Sequence, residues 1–286
     1  MTVLEVLKLA SDHLQKRAPH SPRLDAEVLL AHALGLRRLD LYLKFDRPLT
    51  EAELATYRAL VARRAKGEPV AYLVGHKEFM GLDFVVTPSV LIPNPDTEVL
   101  VQRAVELARE ASRPLRVADI GTGSGCIAIA IAHYAPNVRV VASDVDPHAL
   151  EVAAINVAAH GLDDRVELVC GDLMAPLSGS FDLVCANLPY VAVGSELAAE
   201  VLAQPARALF AEAQGSALVT RLLEEAPARL NPGGRTLAEL DPSFLSIAVD
   251  GAKRHFAGHR IHSDLAGHQR VLEAWSSIPT SSEASA

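Results

Sequence analysis

Leu115-Arg116-Val117-Ala118-Asp119-Ile120-Gly121-Thr122-Gly123-Ser124-Gly125-Cys126-Ile127-Ala128-Ile129-Ala130-Ile131-Ala132-His133 decides the fold. Leu115–Ile120 is short, apolar and β-prone, as a buried strand must be. Three glycines then let the backbone turn tightly and approach a ligand that a Cβ would exclude. A helix follows over Ser124–His133. Strand, glycine turn and helix in that order open a parallel α/β sheet.

Downstream the alternation continues. Strands fit Val138–Ser143, Val166–Cys170 and Phe181–Ala186, and helices fit Pro147–His160 and Ser216–Leu230. Pro232-Gly233-Gly234 reads as a turn into a strand over Arg235–Leu240, with a helix over Pro242–Phe256. Arg260–Ser263 and Gln269–Trp275 are close enough to pair as antiparallel strands. The pattern predicts an α/β fold with a mostly parallel sheet covered on both faces.

Upstream the chain changes character. The first seventy residues lack strand alternation and read as amphipathic helices: one from Val3 to Leu14, one from Leu24 to Leu36 ended by Gly35, and one opening at Thr50 and running to about Lys66. Tyr72–Gly75 and Phe79–Val86 are β-type and predict a hairpin. Pro93-Asn94-Pro95-Asp96-Thr97-Glu98 punctuates the chain before a helix to about Ala111. The Ser/Thr/Ala-rich end from Ser276 predicts disorder.

No apolar run is long enough to span a bilayer and no secretory signal precedes the first helix, so a cytoplasmic location is expected. Cys126, Cys170 and Cys185 are an odd set without CxxC spacing and read as small core residues. None of the eleven histidines has metal-ligand spacing, and no metal is assigned. Net charge is −8, unevenly shared: residues 1–80 carry 13 Lys/Arg against 10 Asp/Glu, and residues 81–286 carry 14 against 25. An acidic α/β region weighs against a polyanion substrate, so no direct nucleic-acid binding is expected.

Asp144 closes the second strand, 23 residues after Gly121. An acid there can accept both hydroxyls of an adenosine ribose, although dinucleotide enzymes use a similar pair. The GxGxG spacing lacks the later glycine of the dinucleotide fingerprint. Asp172, after the third strand, reaches the same cleft, where its carboxylate could accept an adenine amino group. The fourth strand ends in Asn187-Leu188-Pro189-Tyr190. The Asn187 side-chain oxygen and the Leu188 carbonyl can accept the two hydrogens of an NH2 group, and Tyr190 can pack on the planar group that carries it. Such a site would orient a nitrogen toward a methyl sulfonium, with positioning supplying most of the rate.

With these motifs the chain resembles the bacterial peptide chain release factor N5-glutamine methyltransferases. The resemblance extends over Leu24–Leu30, Arg63–Tyr72, Glu78-Phe79, Leu91–Pro93 and Pro95–Glu98. It implies a class I AdoMet-dependent methyltransferase fold, with a seven-stranded, mostly parallel sheet preceded by a small helical domain. The implied organisation is a helical substrate-docking domain over 1–70, a β-hairpin linker over 71–92, a methyltransferase domain over 93–276 and a disordered tail over 277–286. The implied reaction moves a methyl group from S-adenosyl-L-methionine to the side-chain amide of the Gly-Gly-Gln glutamine in class I release factors, leaving S-adenosyl-L-homocysteine. Cofactor contacts would fall to Gly121, Thr122, Gly123, Ser124, Gly125, Asp144, Asp172, Leu173 and Asn187. Substrate contacts would fall to Asn187, Leu188, Pro189 and Tyr190, with Asn187, Pro189 and Tyr190 as catalytic residues.

Four positions depart from the family pattern: Leu188 for the usual proline, Asn94 for an arginine, Ala211–Gly215 for a Gly-Gly-x-Asp-Gly turn, and Asp241 for a glycine. Alternatives that share the tetrad remain. One is a sister enzyme acting on a glutamine of a ribosomal protein, and another is an rRNA adenine N6-methyltransferase. A release-factor or AdoMet binder without turnover is the non-enzymatic reading.

Overall fold

The computed structural model describes residues 1–17, 21–211 and 216–277. In chain order its helices and strands begin with α1 (Val3–Gln15), α2 (Pro22–Leu34), α3 (Arg38–Tyr42), α4 (Glu51–Arg64) and α5 (Val70–Val74). Next come β1 (His76–Phe79), β2 (Leu82–Val85), α6 (Glu98–Glu110), β3 (Leu115–Ile120), α7 (Cys126–Tyr134), β4 (Val138–Asp144), α8 (Pro147–Ala159), β5 (Val166–Cys170) and β6 (Phe181–Ala186). The chain continues with β7 (Val191–Ala192), α9 (Ala199–Leu202), α10 (Ala206–Leu209), β8 (Phe210–Ala211) and α11 (Ala217–Glu225). It closes with β9 (Leu230–Glu239), α12 (Leu245–His255), β10 (Gly258–Ser263) and β11 (Gln269–Trp275). Two compact units result, Met1–His76 with Leu197–Ala203, and Lys77–Glu196 with Gln204 onward.

The first unit is helical. Thr2 and Glu5 cap α1 reciprocally, and Thr50 and Glu53 do the same for α4, satisfying amide groups that a helix start leaves open. Leu7, Leu14, Leu29, Leu30 and Leu41 fill its core. Two charges are buried with partners. Glu27 accepts from Arg23 Nε at 2.6 Å and from the Tyr42 hydroxyl at 2.8 Å. Arg64 reaches Asp25 at 2.7 Å and Glu200, on α9, at 2.6 Å.

Tyr72–Gly75, expected as β, lies in α5 and its cap. Its β-type composition gives way because Leu73 turns into the helical core and Gly75, at φ 83°, ends the turn. The hairpin is β1–β2, and Met80 and Gly81 both have positive φ, as the tightest hairpin turn requires.

In the second unit the sheet order is β10-β11-β9-β6-β3-β4-β5. The pairs β3–β4, β3–β6, β4–β5 and β6–β9 are parallel, and β11 pairs antiparallel with β9 and β10. Side chains alternate across it. Val117, Leu183, Cys185 and Leu237 enter the core shared with α6, α7 and the hairpin, while Ala118, Val184, Ala186 and Ala238 enter the core under α11 and α12. The topology reverses at β3, which places a crevice beyond the carboxyl ends of β3, β4 and β6.

Pro232-Gly233-Gly234 is part of β9, not a turn before it. Gly234 passes so close to the Asn231 and Phe181 carbonyls that a Cβ would stand 2.8 and 3.1 Å from them. The helix expected to Leu230 stops at Glu225 and tightens into a 3₁₀ turn over Ala226–Arg229, where Pro227 removes a donor. Cys170 is exposed on the edge strand, whereas Cys126 and Cys185 are buried. Of the altered Ala211–Gly215 turn only Ala211 is described; 212–215 and the tail from 278 lie outside the described residues.

Glu273 on β11 is fully buried and gathers three elements. Arg103 of α6 donates to it through Nε at 2.9 Å, Arg235 of β9 forms a second ion pair, and His262 Nε2 of β10 lies 2.6 Å away. These partners hold its carboxyl down at about 2. Among the described residues no helix is long and apolar enough to cross a membrane.

Candidate active site

The glycine loop is held by backbone and side chain together. Gly121 and Thr122 donate to the Ser143 carbonyl at 2.8 and 2.9 Å, which docks the loop onto the end of β4. Gly121, Gly123 and Gly125 all adopt positive φ, which L side chains avoid. A Cβ on Gly123 would meet nothing within 4 Å, whereas one on Gly121 would stand 3.0 Å from Leu188 Cδ2. Asn156 of α8 fixes the loop from below. Its amide nitrogen donates to the Ser124 carbonyl at 2.8 Å and to Val85 at 3.0 Å, while its oxygen accepts from Val85 N at 2.8 Å.

Asp144 accepts from Gly123 N at 2.9 Å through one oxygen and from Asp146 N at 2.9 Å through the other. Each carboxylate oxygen keeps a lone pair for a ligand hydroxyl. Asp119, fully buried behind the loop, accepts from the Thr122 hydroxyl at 2.6 Å and Ala128 N at 3.1 Å. Its second oxygen has no partner among the described residues, and burial, with the Asp144 charge adding, pushes its carboxyl up to about 7.

Beyond the loop lies a cavity of about 490 Å³. It takes in Gly121–Ser124, Asp144, Asp172, Leu173, Asn187, Leu188 and Pro189, so β3, β4, β5 and β6 contribute at one sheet end. Gly125 turns the chain into α7 below it and is not in the lining. Asp172 is exposed and paired with Arg221 of α11 at 2.8 Å, so a ligand amino group would share it with a guanidinium. Leu173 follows in a left-handed conformation at φ 45°, a strained choice for leucine that lays its buried side chain along the wall.

The tetrad divides between two spaces. Asn187, Leu188 and Pro189 line the cavity, but the Tyr190 ring lines a small adjoining pocket with Glu239, Leu240 and Phe244. Tyr190 is thus absent from the cavity lining. Burial raises its phenol above the ordinary tyrosine range, and Glu239, Asp241 and Asp96 add to that.

The departures from the family pattern have local accounts. Leu188 is buried over Gly121. Asn94 lines the cavity, and its side-chain oxygen caps the Pro95–Thr97 turn by accepting from Asp96 N at 3.1 Å. Asp241 likewise caps Pro242–Phe244, accepting from Ser243 N at 2.9 Å.

Sequence reasoning missed the partners of Asn187. Its amide nitrogen donates to the Thr97 hydroxyl at 3.0 Å, so its oxygen is the end left for a ligand. Burial pushes the Glu239 carboxyl, in the pocket beside Tyr190, up to about 7. Ninety residues separate Asn187 from Thr97, and no local pattern signals the pairing.

Comparison with known proteins gives two family matches: the PrmC N-terminal domain over residues 5–75 and the methyltransferase small domain over 95–217. A release factor glutamine methyltransferase from Rhodopirellula baltica is 41% identical over 281 residues, covering 95% of each chain. One of the same name from Geobacter sulfurreducens is 44% identical over 243 residues, 84% of each. Among solved structures, a methyltransferase from Pyrococcus furiosus shares the fold at TM-score 0.54 and 22% identity, covering 78% of this chain and 100% of that one.

Proposed function

Because the chain belongs to the release factor glutamine methyltransferase family, we infer that it transfers a methyl group from AdoMet to a glutamine side chain of a peptide chain release factor. The target is the N5 nitrogen of the Gly-Gly-Gln glutamine of a class I factor, and the reaction takes place in the cytoplasm. The observation that carries the reading is the cavity itself, which joins the glycine loop and Asp144 to an Asn187 side chain with its oxygen free.

The residues present fit the cofactor. The open space at Gly123 admits a ligand against the backbone, and both Asp144 oxygens keep capacity for the ribose hydroxyls. Gly121–Ser124, Asp172 and Leu173 line the remainder of its place, and Gly125 sets the loop's exit into the helix. Bound AdoMet supplies an electrophilic methyl on a sulfonium, which departs as S-adenosyl-L-homocysteine.

Asn187 Oδ1 and the Leu188 carbonyl accept the two amide hydrogens of the substrate. With both hydrogens held, the nitrogen would be oriented to receive the methyl that bound AdoMet would supply, Asn187 and Leu188 acting by positioning alone. One proton then leaves the methylated nitrogen to solvent. Pro189 fixes the chain direction at this point, because its ring restricts the residue before it. Tyr190 supports the tetrad from the adjoining pocket. No strong base is needed, and positioning supplies most of the rate. The helical unit serves as the docking domain for the release factor.

Transfer from labelled AdoMet to a purified class I release factor tests this, with a Gly-Gly-Gln to Gly-Gly-Ala factor alongside. Label on the native factor alone is expected. Label on both, or on a ribosomal protein and neither factor, overturns the substrate.

A further inference from the structure

We propose that Arg270 is a positioning residue for methyl transfer, clamping the turn Pro95–Thr97 through Asp96 so that Thr97 keeps the Asn187 side chain in place. The inference rests on the methyl-transfer reading above and carries it outside the cavity, to the start of β11.

Asp96 stands between two residues of the cavity wall. Asn94 and Thr97 line the cavity, whereas Asp96 and Arg270 do not. The turn closes on itself: Asn94 accepts from Asp96 N at 3.1 Å through its side chain and from Thr97 N at 3.0 Å through its carbonyl. From this turn Thr97 Oγ1 reaches Asn187, accepting from Nδ2 at 3.0 Å, and Thr97 is buried. Pro93 and Pro95 have no N–H, so the stretch has few backbone donors with which to fix itself to the sheet.

Arg270 supplies an attachment. Its Nη2 lies 3.0 Å from Asp96 Oδ2, and its Nε donates to Asp264 Oδ2 at 3.0 Å, so one planar guanidinium spans two carboxylates. Both of its other anchors are set by backbone. Asp264 accepts from Ala266 N and His268 N through its second oxygen, at 2.9 and 2.8 Å, which locks it into the loop between β10 and β11. The Arg270 carbonyl accepts from Leu240 N at 2.8 Å, which seats the arginine beside the end of β9. The Arg270 and Asp96 side chains are 22% and 33% exposed. An ion pair that solvent reaches adds little to stability, which leaves geometry as the quantity it governs.

Arg270→Gln and Asp96→Asn open the pair from either side. Single-turnover methyl transfer to release factor, at saturating AdoMet and factor, is expected to fall about 10-fold in each, short of the roughly 100-fold that a displacement of about 1 Å brings. AdoMet affinity by calorimetry and melting temperature should stay close to wild type. The double variant should be no slower than the slower single one, because both act through one contact. If Arg270→Gln does not fold, Asp96→Asn decides alone.

A wild-type rate in both variants, losses that multiply in the double variant, or a fall in AdoMet affinity or melting temperature that matches the rate loss overturns the proposal. Wild-type enzyme in the same assay keeps the two readings apart. If it fails to label glutamine the methyl-transfer reading falls, and the side-chain amide resonances of Asn187, identified by their loss in Asn187→Ala, still test the clamp. They should move in both variants while those of Asn156, bound to Ser124, stay in place. Unmoved Asn187 resonances, or equal movement of both residues, overturn the proposal.

Discussion

Replacing Glu273 by glutamine should destabilise the second unit strongly at neutral pH and hardly at all near pH 2. The carboxylate is 1% exposed and faces Arg103, Arg235 and His262. Its carboxyl is lowered from 4.5 to about 2, with side-chain hydrogen bonds from Arg103 and His262 outweighing the burial that opposes them. At about 1.4 kcal/mol for each pH unit, that displacement corresponds to roughly 3 kcal/mol of folding free energy. The sign follows from proton binding. The unfolded chain takes up the proton first, so the contribution is complete above pH 4.5 and is lost as pH falls toward 2. Glu273→Gln removes the charge and leaves two guanidinium groups facing an amide, so the cost at pH 7 should reach about 3–5 kcal/mol. Urea unfolding followed by Trp275 fluorescence is the assay. Trp275 is the chain's one tryptophan, lies two residues along the same strand and has Arg235 over its ring at 5.5 Å. The difference between wild type and variant should shrink steadily between pH 4.5 and 2. A difference that is constant over this range, or below about 1 kcal/mol at pH 7, refutes the electrostatic account.

Two further substitutions separate the parts of the cavity. Gly121→Ala forces a left-handed alanine, costing about 1–2 kcal/mol, and its methyl presses on Leu188. Because Gly121 lines the cofactor's place, AdoMet affinity and transfer rate should both fall. Gly123→Ala, whose methyl enters open cavity, should lose mainly AdoMet affinity, and calorimetry with single-turnover rates checks both. Asp119→Asn reads a buried acid of opposite sign to Glu273. With its carboxyl raised from 3.8 to about 7, the folded wild type holds the proton longer than the unfolded chain. Wild-type stability should therefore decline between about pH 4 and 7 by up to roughly 4 kcal/mol relative to Asp119→Asn, in the same fluorescence assay. Parallel curves for the two proteins would show that Asp119 does not titrate there.

Much of the second unit was legible because its elements are locally coded. Strand Leu115–Ile120 and the glycines after it need only a run of apolar residues and positions without Cβ, and both stand in consecutive sequence. Phe181–Ala186 was readable for the same reason. Tyr72–Gly75 was not, since its β-prone side chains enter a helical core whose other members lie up to seventy residues away. The short helix Arg38–Tyr42 was missed because five residues show no periodicity. At the site, Asp144 and Asn187 could be placed by counting from strand ends. Their partners could not. Arg221 on Asp172, Asn156 on Ser124 and Thr97 on Asn187 are hydrogen bonds between segments 32 to 90 residues apart, fixed only when the sheet assembles. The position of Tyr190 depends on which side of the turn Glu239 and Phe244 come to lie, and the tetrad alone carries no information about that.

The helical unit is discontinuous: Leu197–Ala203 joins it from far along the chain, and Glu200 supplies one of the two carboxylates on buried Arg64. During synthesis, then, the first unit emerges with Asp25 in place but must wait for more than a hundred further residues before Glu200 arrives. At about 5–20 residues per second that is a delay on the order of ten seconds. The N-terminal helices therefore finish assembly only after the glycine loop and the tetrad have left the ribosome. A fragment ending at His76 would keep Arg64 paired with Asp25 but without its second carboxylate partner.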